Sequence, residues 1–357
     1  MDWIRGDRLG HGSFATVSLA VAKGGADFKA PLMAVKSCGA SRWSALANEK
    51  LILAELQDCP EIIRCLGDGF SYENGEELYN VLLEYAAGGS LADRVRISGR
   101  RGLPEFEVRR YVRDLVKGLC YIHKLGYVHC DIKLQNVLLD SAGGVKIADF
   151  GLAKHAGVEA APAPAGCELR GTPLYMSPEM VAGGEQEAPA DVWAMGCAVS
   201  EMIAGSPAWR CSGDVAGLLL RIGAGEEAPE IPRILSEQGR DFLEKCFVKD
   251  PRKRWTAEML LRHRFIDGQD FEEDNVTATK DVEHYTASFS PRGPFEFSDL
   301  PSPATCSATS FPSPVNHPEP YLWNDRPFSI SAAERLRGIV SKQIPDWSVA
   351  DDWLTVR

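Results

Sequence analysis

The N-terminal segment constrains the fold of this chain more than any other stretch. Residues 8–25 read RLGHGSFATVSLAVAKGG, in which apolar and polar residues alternate on both sides of Gly10 and Gly12. Alternation is typical of strands, and two glycines between alternating runs indicate a turn. The pattern therefore predicts two strands joined by a glycine turn, and it disfavours the strand-to-helix passage of a dinucleotide-binding fold. Ala15 stands where a third glycine would complete the motif G-x-G-x-x-G, so the motif alone is weak. On this segment alone, a plain β-hairpin without a functional motif is an equal alternative.

A lysine lies in the next apolar strand. Residues 32–37 read LMAVKS, and Lys36 is costly in such a strand unless an acid pairs with it. Residues 44–57, SALANEKLILAELQ, predict an amphipathic helix whose apolar side carries Leu46, Leu51, Leu53 and Leu56. Glu49 on this helix is the predicted ion-pair partner of Lys36.

A buried strand and a long helix are predicted next. Residues 76–91, EELYNVLLEYAAGGSL, indicate a buried strand that ends at a Gly-Gly hinge. Residues 108–126, VRRYVRDLVKGLCYIHKLG, indicate a helix with apolar residues at helical spacing, namely Tyr111, Leu115, Leu119 and Ile122. We interpret His123 on this helix as a structural residue and not a catalytic one.

The composition changes near residue 267. Of the 22 prolines, 10 follow residue 290, in stretches such as SPRGPFEFSDLPSPATCS. A segment so rich in Pro and Ser buries little apolar surface, so we expect residues 267–357 to be largely disordered. This tail has 15 acidic and 7 basic residues, a net charge of −8 out of −11 for the chain, and the first 266 residues carry −3.

The charge and the residue types exclude several classes of partner. An acidic surplus argues against nucleic-acid binding, which depends on Lys and Arg at the phosphates. We expect no membrane segment, because no run of about 18 apolar residues occurs. The start of the chain lacks the features of a signal peptide, and the 10 scattered cysteines form no CxxC pair. We therefore expect reduced thiols, no zinc site, and a cytoplasmic or nuclear location.

Five further motifs follow in a fixed order. They are YVHCDIKLQNVLLD (127–140), VKIADFGLAK (145–154), GTPLYMSPEM (171–180), DVWAMGC (191–197) and DPRKRW (250–255). Together with the glycine turn, they resemble the signature set of the eukaryotic Ser/Thr protein kinase domain. The residues of three segments resemble a narrower group, the plant MEKK-like MAP kinase kinase kinases. These segments are HCDIKLQNVLL, DPRKRWTAEMLLRH and DWLTVR.

The resemblance implies an architecture and an activity. The fold is expected to be α+β and two-lobed over residues 3–266, with a small β-rich N-lobe (about 3–84), a large helical C-lobe (about 85–266) and ATP between them. The implied activity is Mg²⁺-dependent transfer of the γ-phosphoryl group of ATP to Ser or Thr of a protein substrate. For the narrower subfamily, that substrate is a MAP kinase kinase.

The resemblance also assigns roles on the nucleotide side. Lys36, positioned by Glu49, is expected to hold the α- and β-phosphates. Leu83 is the expected gatekeeper in front of the hinge that contacts the adenine. The loop over the phosphates comprises Leu9, Gly10, His11, Gly12, Ser13, Phe14 and Ala15. Residues expected at the adenine ring are Val17, Ala34 and Leu138 on its faces and the hinge Glu84 to Ala86 along its edge.

The resemblance assigns a second set of residues to phosphoryl transfer itself. Asp131 is expected to orient the substrate hydroxyl and accept its proton, and Asn136 and Asp149 are expected to hold magnesium. Lys133 is the Ser/Thr-type residue, and Thr172 is expected near Asp131 and Lys133 at the floor for the acceptor. Structural roles are implied for three others: a buried ion pair of Glu179 with Arg254, and Asp191 as an anchor of the catalytic-loop backbone.

Cys130 departs from the family pattern. Most members have an arginine here, which docks a phosphate on the activation loop. A cysteine cannot form that charge-assisted bond. Residues 152–171, LAKHAGVEAAPAPAGCELRG, also contain no Ser, Thr or Tyr. The phosphate receiver and the phosphate site are missing together, which predicts a kinase that activation-loop phosphorylation does not control.

Two alternatives stay open on the sequence. An ATP-binding pseudokinase scaffold would be marked by loss of Lys36, Asp131, Asn136 or Asp149, and all four are present. The second alternative is a Ser/Thr kinase of another signalling branch. Only the residues that resemble the narrower subfamily argue against it.

The tail carries two further predictions. Ser290, Ser302 and Ser313 each precede proline, the form that proline-directed kinases select, although Ser-Pro pairs are also common in such linkers. Residues 331–342, SAAERLRGIVSK, indicate a short amphipathic helix, and tryptophans follow it. We expect residues 331–357 to dock on the kinase body or on a partner protein.

Overall fold

The computed structural model describes residues 2–12, 15–23, 32–158, 171–183, 186–210, 214–224 and 227–267. Ser13 and Phe14 of the predicted phosphate loop lie outside the described residues. So do the Ser-Pro sites and the predicted docking helix 331–342.

The N-terminal part is a five-stranded antiparallel sheet with one helix against it. Its strands occur in the order β1-β2-β3-β5-β4, and the first pair is the predicted hairpin, closed by the pairing of His11 with Thr16. Their bounds are β1 (Trp3–His11), β2 (Thr16–Ala22), β3 (Leu32–Gly39), β4 (Cys65–Glu73) and β5 (Glu76–Glu84). Helix α1 (Trp43–Glu55) packs against β3, β4 and β5.

The apolar face of α1 differs from the prediction at one residue. Leu46 and Leu53 are buried on the same stripe as Glu49, but Leu51 is 58% exposed. At 3.6 residues per turn, Leu51 lies about 200° around the helix from Glu49, so both cannot face the sheet. The prediction for Leu51 was wrong because it followed the run of leucines and not the helical period.

The larger part of the body is helical. Helix α3 runs through it, and the four residues predicted for its apolar face, from Tyr111 to Ile122, are buried. The helices are α2 (Leu91–Ser98), α3 (Glu105–Lys124), α4 (Pro178–Gly183), α5 (Ala188–Ala204), α6 (Val215–Ala224), α7 (Glu237–Cys246), α8 (Ala257–Leu261) and α9 (Arg264–Asp267). Four short strands accompany them as two pairs: β6 (Tyr127–Val128) with β9 (Lys154–His155), and β7 (Val137–Leu139) with β8 (Val145–Ile147).

Helix α5 lies at the centre of this part. Its Trp193 is fully buried, and the indole contacts the ring of Phe247 and the guanidinium of Arg254. Arg254 forms a two-pronged ion pair with the carboxylate of Glu179, at 2.6 and 2.9 Å. A buried arginine is tolerated only when paired in this way, so this contact ties α4 to the chain after α7.

The predicted α+β, two-lobed architecture is confirmed: a β-rich sheet is followed by a helical lobe, and a cleft lies between them. Within the described ranges, no helix combines the length and the apolar character needed to cross a membrane.

Candidate active site

The cleft between the sheet and the helical lobe has a volume of about 320 Å³. Most of the residues predicted for the nucleotide and the metal line it. They are Leu9, Gly10, His11, Gly12, Ala15, Val17, Ala34, Lys36, Glu49, Leu83, Glu84, Ala86, Asn136, Leu138 and Asp149. The fold therefore brings together residues that are up to 140 positions apart in sequence.

Lys36 is the centre of an ion cluster in this cleft. Its Nζ lies 2.9 and 2.7 Å from the two carboxylate oxygens of Glu49 and 2.8 Å from Oδ1 of Asp149. Burial alone would lower the pKa of Lys36, but the charges of Asp149 and Glu49 outweigh burial and the pKa is raised. The ammonium is therefore charged at every physiological pH, and its donors are bonded to Glu49 and Asp149 at the wall of the cleft.

Asp149 and Asn136 reach the cleft from adjoining segments. Asp149 follows β8 with a backbone φ of +64°, a left-handed conformation that is uncommon for a residue with a Cβ. Asn136 ends a short 3₁₀ turn, and its carbonyl accepts a hydrogen bond from the amide of Ala148, next to Asp149. Such strain persists only where the surroundings fix the conformation, and it concentrates at functional sites.

The donor atoms of these two residues fit a magnesium ion. The amide nitrogen of Asn136 donates to the backbone oxygen and to Oδ2 of Asp131, which turns the amide oxygen away from Asp131. Carboxylate and amide oxygens are the donors that Mg²⁺ prefers, and it commonly takes only one or two from protein and the rest from phosphates and water. In the described part of the chain, no cluster of three His, Cys, Asp or Glu side chains forms a self-sufficient metal site.

Asp131 lies in a second cluster beside the cleft. Its Oδ2 is 2.7 Å from Nζ of Lys133, and its Oδ1 accepts a 3.0 Å hydrogen bond from the hydroxyl of Thr172. Lys133 also donates to that hydroxyl, at 3.2 Å. The three predicted residues are thus in mutual contact, although Thr172 is 41 positions from Asp131.

The backbone before Asp131 is fixed by a buried carboxylate on α5. Asp191 accepts hydrogen bonds of 2.9 Å from the amides of His129 and Cys130 and from Nε2 of His123. Burial by itself would raise the pKa of Asp191, but the hydrogen bonds from the side chain of His123 and the backbone amide of His129 help to lower it. The anchoring role expected for Asp191 is therefore visible in its contacts, and His123 serves as a structural donor.

Cys130 is neutral and enclosed. Burial and the charge of Asp191 raise the pKa of its thiol, which donates to the carbonyl of Val128 at 3.5 Å. Its backbone φ is +68°, so the residue has the left-handed conformation although it carries a side chain. Neighbouring His129 is also buried, which lowers the pKa of its imidazole.

Some residues of the site were missed by sequence reasoning. Gln135 lines the cleft, and its buried Oε1 has no hydrogen-bond partner among the residues described. Ser90 and Asp93 also line the cleft, where they form the capping box of α2. The Ser-x-x-Asp spacing was a readable signal for the start of this helix. Nothing in the sequence pattern distinguishes Gln135 from a solvent-exposed glutamine.

The chain is similar to known proteins over its length. The family model of the protein kinase domain matches residues 3–266. Mitogen-activated protein kinase kinase kinase 20 of Arabidopsis thaliana is 50% identical over 100% of both chains. Mitogen-activated protein kinase kinase kinase 17 of the same plant is 41% identical over 74% of this chain and 70% of its own. Serine/threonine-protein kinase BCK1/SLK1/SSP31 of Saccharomyces cerevisiae is 35% identical over 74% of this chain and 18% of its own. The matched range contains both clusters and the whole cleft.

Proposed function

The chain belongs to the protein kinase family, and on this premise we propose that it transfers the γ-phosphoryl group of ATP to Ser or Thr hydroxyls of MAP kinase kinases. By homology it is a Ser/Thr protein kinase of the MAP kinase kinase kinase type, and protein kinases in general use ATP and Mg²⁺. The observation that carries the proposal is the pair of intact clusters, one around Lys36 and one around Asp131.

The nucleotide side follows from the lining of the cleft. In the proposed complex, the apolar side chains of Val17, Ala34 and Leu138 enclose the adenine, and the backbone from Glu84 to Ala86 bonds to its edge. Lys36 holds the α- and β-phosphates, and Glu49 keeps the ammonium in place. The glycines of residues 9–15 let backbone amides approach the phosphates closely.

Asn136 and Asp149 are proposed to hold magnesium through their side-chain oxygens. The bound ion would offset the negative charge that develops on the transferred phosphoryl group. Asp149 also contacts Lys36 at 2.8 Å, so the residue proposed to hold the metal lies next to the residue proposed to hold the phosphates.

Asp131 is proposed as the residue that orients the acceptor hydroxyl and takes its proton. A carboxylate accepts about four hydrogen bonds. Within the described chain, three donors contact it, from Lys133, Asn136 and Thr172. Capacity for a substrate hydroxyl remains, and the three contacts set the direction from which it must approach.

The substrate class is supported by the relatives. The Arabidopsis protein that is 50% identical over its full length is named a MAP kinase kinase kinase, and such enzymes are named for phosphorylating MAP kinase kinases. The test is a panel of purified MAP kinase kinases, made catalytically inactive, incubated with the chain and labelled ATP. We expect label on Ser or Thr of at least one member, and none with the Asp149→Ala variant. Label on none of the panel but on an unrelated protein would contradict the proposed substrate class.

We further propose that activation-loop phosphate does not control this kinase. Cys130 is neutral, and residues 152–171 offer no hydroxyl to phosphorylate. Chain treated with phosphatase should therefore keep its activity. A loss of activity would refute this proposal unless the removed phosphate maps to residues 267–357.

Two predictions about the rest of the molecule stay predictions. Docking of residues 331–357 is tested by deleting them and measuring activity, partner capture and melting of the body. A cytoplasmic or nuclear location is tested by imaging a tagged chain in plant cells.

A further inference from the structure

A short segment at the start of α5 contacts two functional loops at once. The side-chain amide of Gln186 donates to the carbonyl of Cys130 at 2.9 Å, and Asp191 accepts from the amide of the same cysteine. Both hydrogen-bonding groups of the Cys130 backbone are therefore held by residues 186–191. Glu187 lies between Gln186 and Asp191 in the sequence, and its side chain contacts a different segment.

Glu187 holds the beginning of the activation segment. Its Oε1 lies 2.8 Å from Nζ of Lys154, and the amide of Gly157 donates to both carboxylate oxygens, at 3.1 and 3.2 Å. Lys154 also donates to the carbonyl of Val158 at 2.8 Å. Gly157 has a φ of +72°, a conformation strained for other residues, and this turn directs its amide at the carboxylate.

The held segment is also joined to the catalytic loop. Strand β9, which contains Lys154, pairs with β6, and β6 leads directly into His129. The amide of Ala156 donates to the carbonyl of Gly126 at 2.8 Å, and the rings of His155 and Tyr127 stack with centroids 4.1 Å apart. A shift of β9 would therefore be transmitted to the backbone that positions Asp131.

The charges at this junction are already balanced within the chain. The ammonium of Lys154 is paired with the carboxylate of Glu187, and Cys130 contributes no charge. An anion arriving from outside would meet the negative charge of Glu187 before it reached Lys154. The carboxylate of Glu187 thus supplies a permanent negative charge next to Lys154.

We infer that Glu187 is a positioning residue: its carboxylate fixes Lys154 and Gly157 and so keeps residues 154–158, at the start of the activation segment, in the arrangement needed for transfer without a phosphate. The inference rests on the proposed kinase activity and adds the physical cause of its independence from phosphorylation. Glu187 touches neither nucleotide nor acceptor, so its effect is transmitted through β9 and β6.

The kinetic test uses phosphatase-treated full chain. In Glu187→Gln, we expect kcat/KM for the protein substrate to fall about tenfold to a hundredfold, the size of effect that a misplacement of about 1 Å produces. KM for ATP should stay within about twofold, because the cleft is unchanged. Lys154→Met should give a similar loss, and the double variant should be no worse than the worse single one, since both remove the same contact.

The matched control is Glu230→Gln. Glu230 pairs with Arg210 at 2.9 Å on the exposed surface of the same lobe, away from both loops. Its kinetics should equal those of the unchanged chain. Equal losses in the control, or additive losses in the Lys154 and Glu187 double variant, would overturn the inference.

A second measurement does not depend on phosphate transfer. Hydrogen exchange of the peptide that contains Gly157 should be at least about tenfold faster in Glu187→Ala than in the unchanged chain, because the amide of Gly157 loses its acceptor. Unchanged exchange would overturn the inference even if activity fell. If the unchanged chain phosphorylates no protein, the proposed function fails, and the exchange result still decides whether Glu187 holds this segment.

Discussion

The cluster around Lys36 and the group of hydrogen bonds around Asp191, called here the Asp191 cluster, differ in how they are built. The Lys36 cluster joins three separate segments: β3, α1 and the segment after β8 that contains Asp149. Its members meet only through side chains, and Asp149 is 35% exposed. The Asp191 cluster instead joins one buried side chain, 2% exposed, to two consecutive backbone amides and a histidine.

This difference indicates a division of labour within the site. The Lys36–Asp149 ion pair joins the sheet to the helical lobe, so it can break and re-form as the cleft opens and closes, without unfolding either part. A buried carboxylate that bonds to backbone amides cannot open without leaving unsatisfied groups in the core. The nucleotide half of the site is therefore adjustable, and the catalytic loop is fixed.

The largest expected effect tests the adjustable half. Lys36→Met should abolish phosphate transfer, because it removes the positive charge of the cluster that can hold phosphates, while the protein stays folded. The control is Lys50→Met, a lysine on α1 that pairs at the surface with Asp68 at 3.3 Å and should be fully active. Transfer assays and thermal melts measure both. Full activity of Lys36→Met would contradict the kinase assignment.

The second-largest effect tests Asp131, the residue that the fixed catalytic loop positions. Asp131→Asn should slow turnover by roughly 10²- to 10⁴-fold, the usual contribution of a general base, because an amide cannot accept the proton. ATP affinity should not change, since Asp131 lies outside the cleft lining. Single-turnover kinetics and nucleotide titration separate the two quantities. A loss below tenfold would mean that Asp131 has another role.

A third change tests whether the Asp191 cluster is part of the core. Asp191→Asn should lower the free energy of unfolding by about 3 kcal/mol, because one buried donor then faces an amide nitrogen. Asp241→Asn is the control: Asp241 accepts from His263 at 2.8 Å, in the same way, but lies at the surface. It should cost less than about 1 kcal/mol. Denaturant melts of both variants give the comparison, and equal losses would show that burial does not distinguish the clusters.

The smallest effect concerns pH. Burial lowers the pKa of His129, and its Nδ1 accepts from the amide of Asp131 at 3.2 Å. Below about pH 6.5 the unfolded chain protonates this histidine and the folded chain does not, so stability is lost as pH falls, by up to about 1.4 kcal/mol per unit. Denaturant melts between pH 7.5 and 5.5 should show this slope. It should flatten in His129→Gln and persist in His155→Gln, whose ring is exposed. The same slope in all three proteins would assign it to other groups.

Much of the fold and of the site could be predicted, because the relevant patterns are local. The hairpin around Gly10, the apolar face of α3 and the Lys36–Glu49 pair were all predicted from alternation, helical spacing and the cost of a buried lysine. The error at Leu51 shows the limit of the same reasoning. A run of leucines states that a segment is apolar, but only the direction of the sheet decides which of them it buries.

The contacts of Glu187 and the place of Gln135 in the cleft could not be predicted. Glu187 lies in a segment without a motif, and Gln135 is at a position of the 127–140 motif to which the resemblance assigns no role. Lys154 and Gly157 reach Glu187 from about 30 positions away, through a turn that no sequence period specifies.

The sequence by itself determined the class of fold, the residues proposed as acids and bases, and the absence of a phosphorylatable residue in 152–171. These depend on residue types and short spacings, which are properties of the chain before it folds. Only the tertiary structure decided that Asp191 fixes the loop around a neutral Cys130 and that Glu187 pairs with Lys154. Such contacts join distant segments, and packing in three dimensions, not local preference, selects their partners.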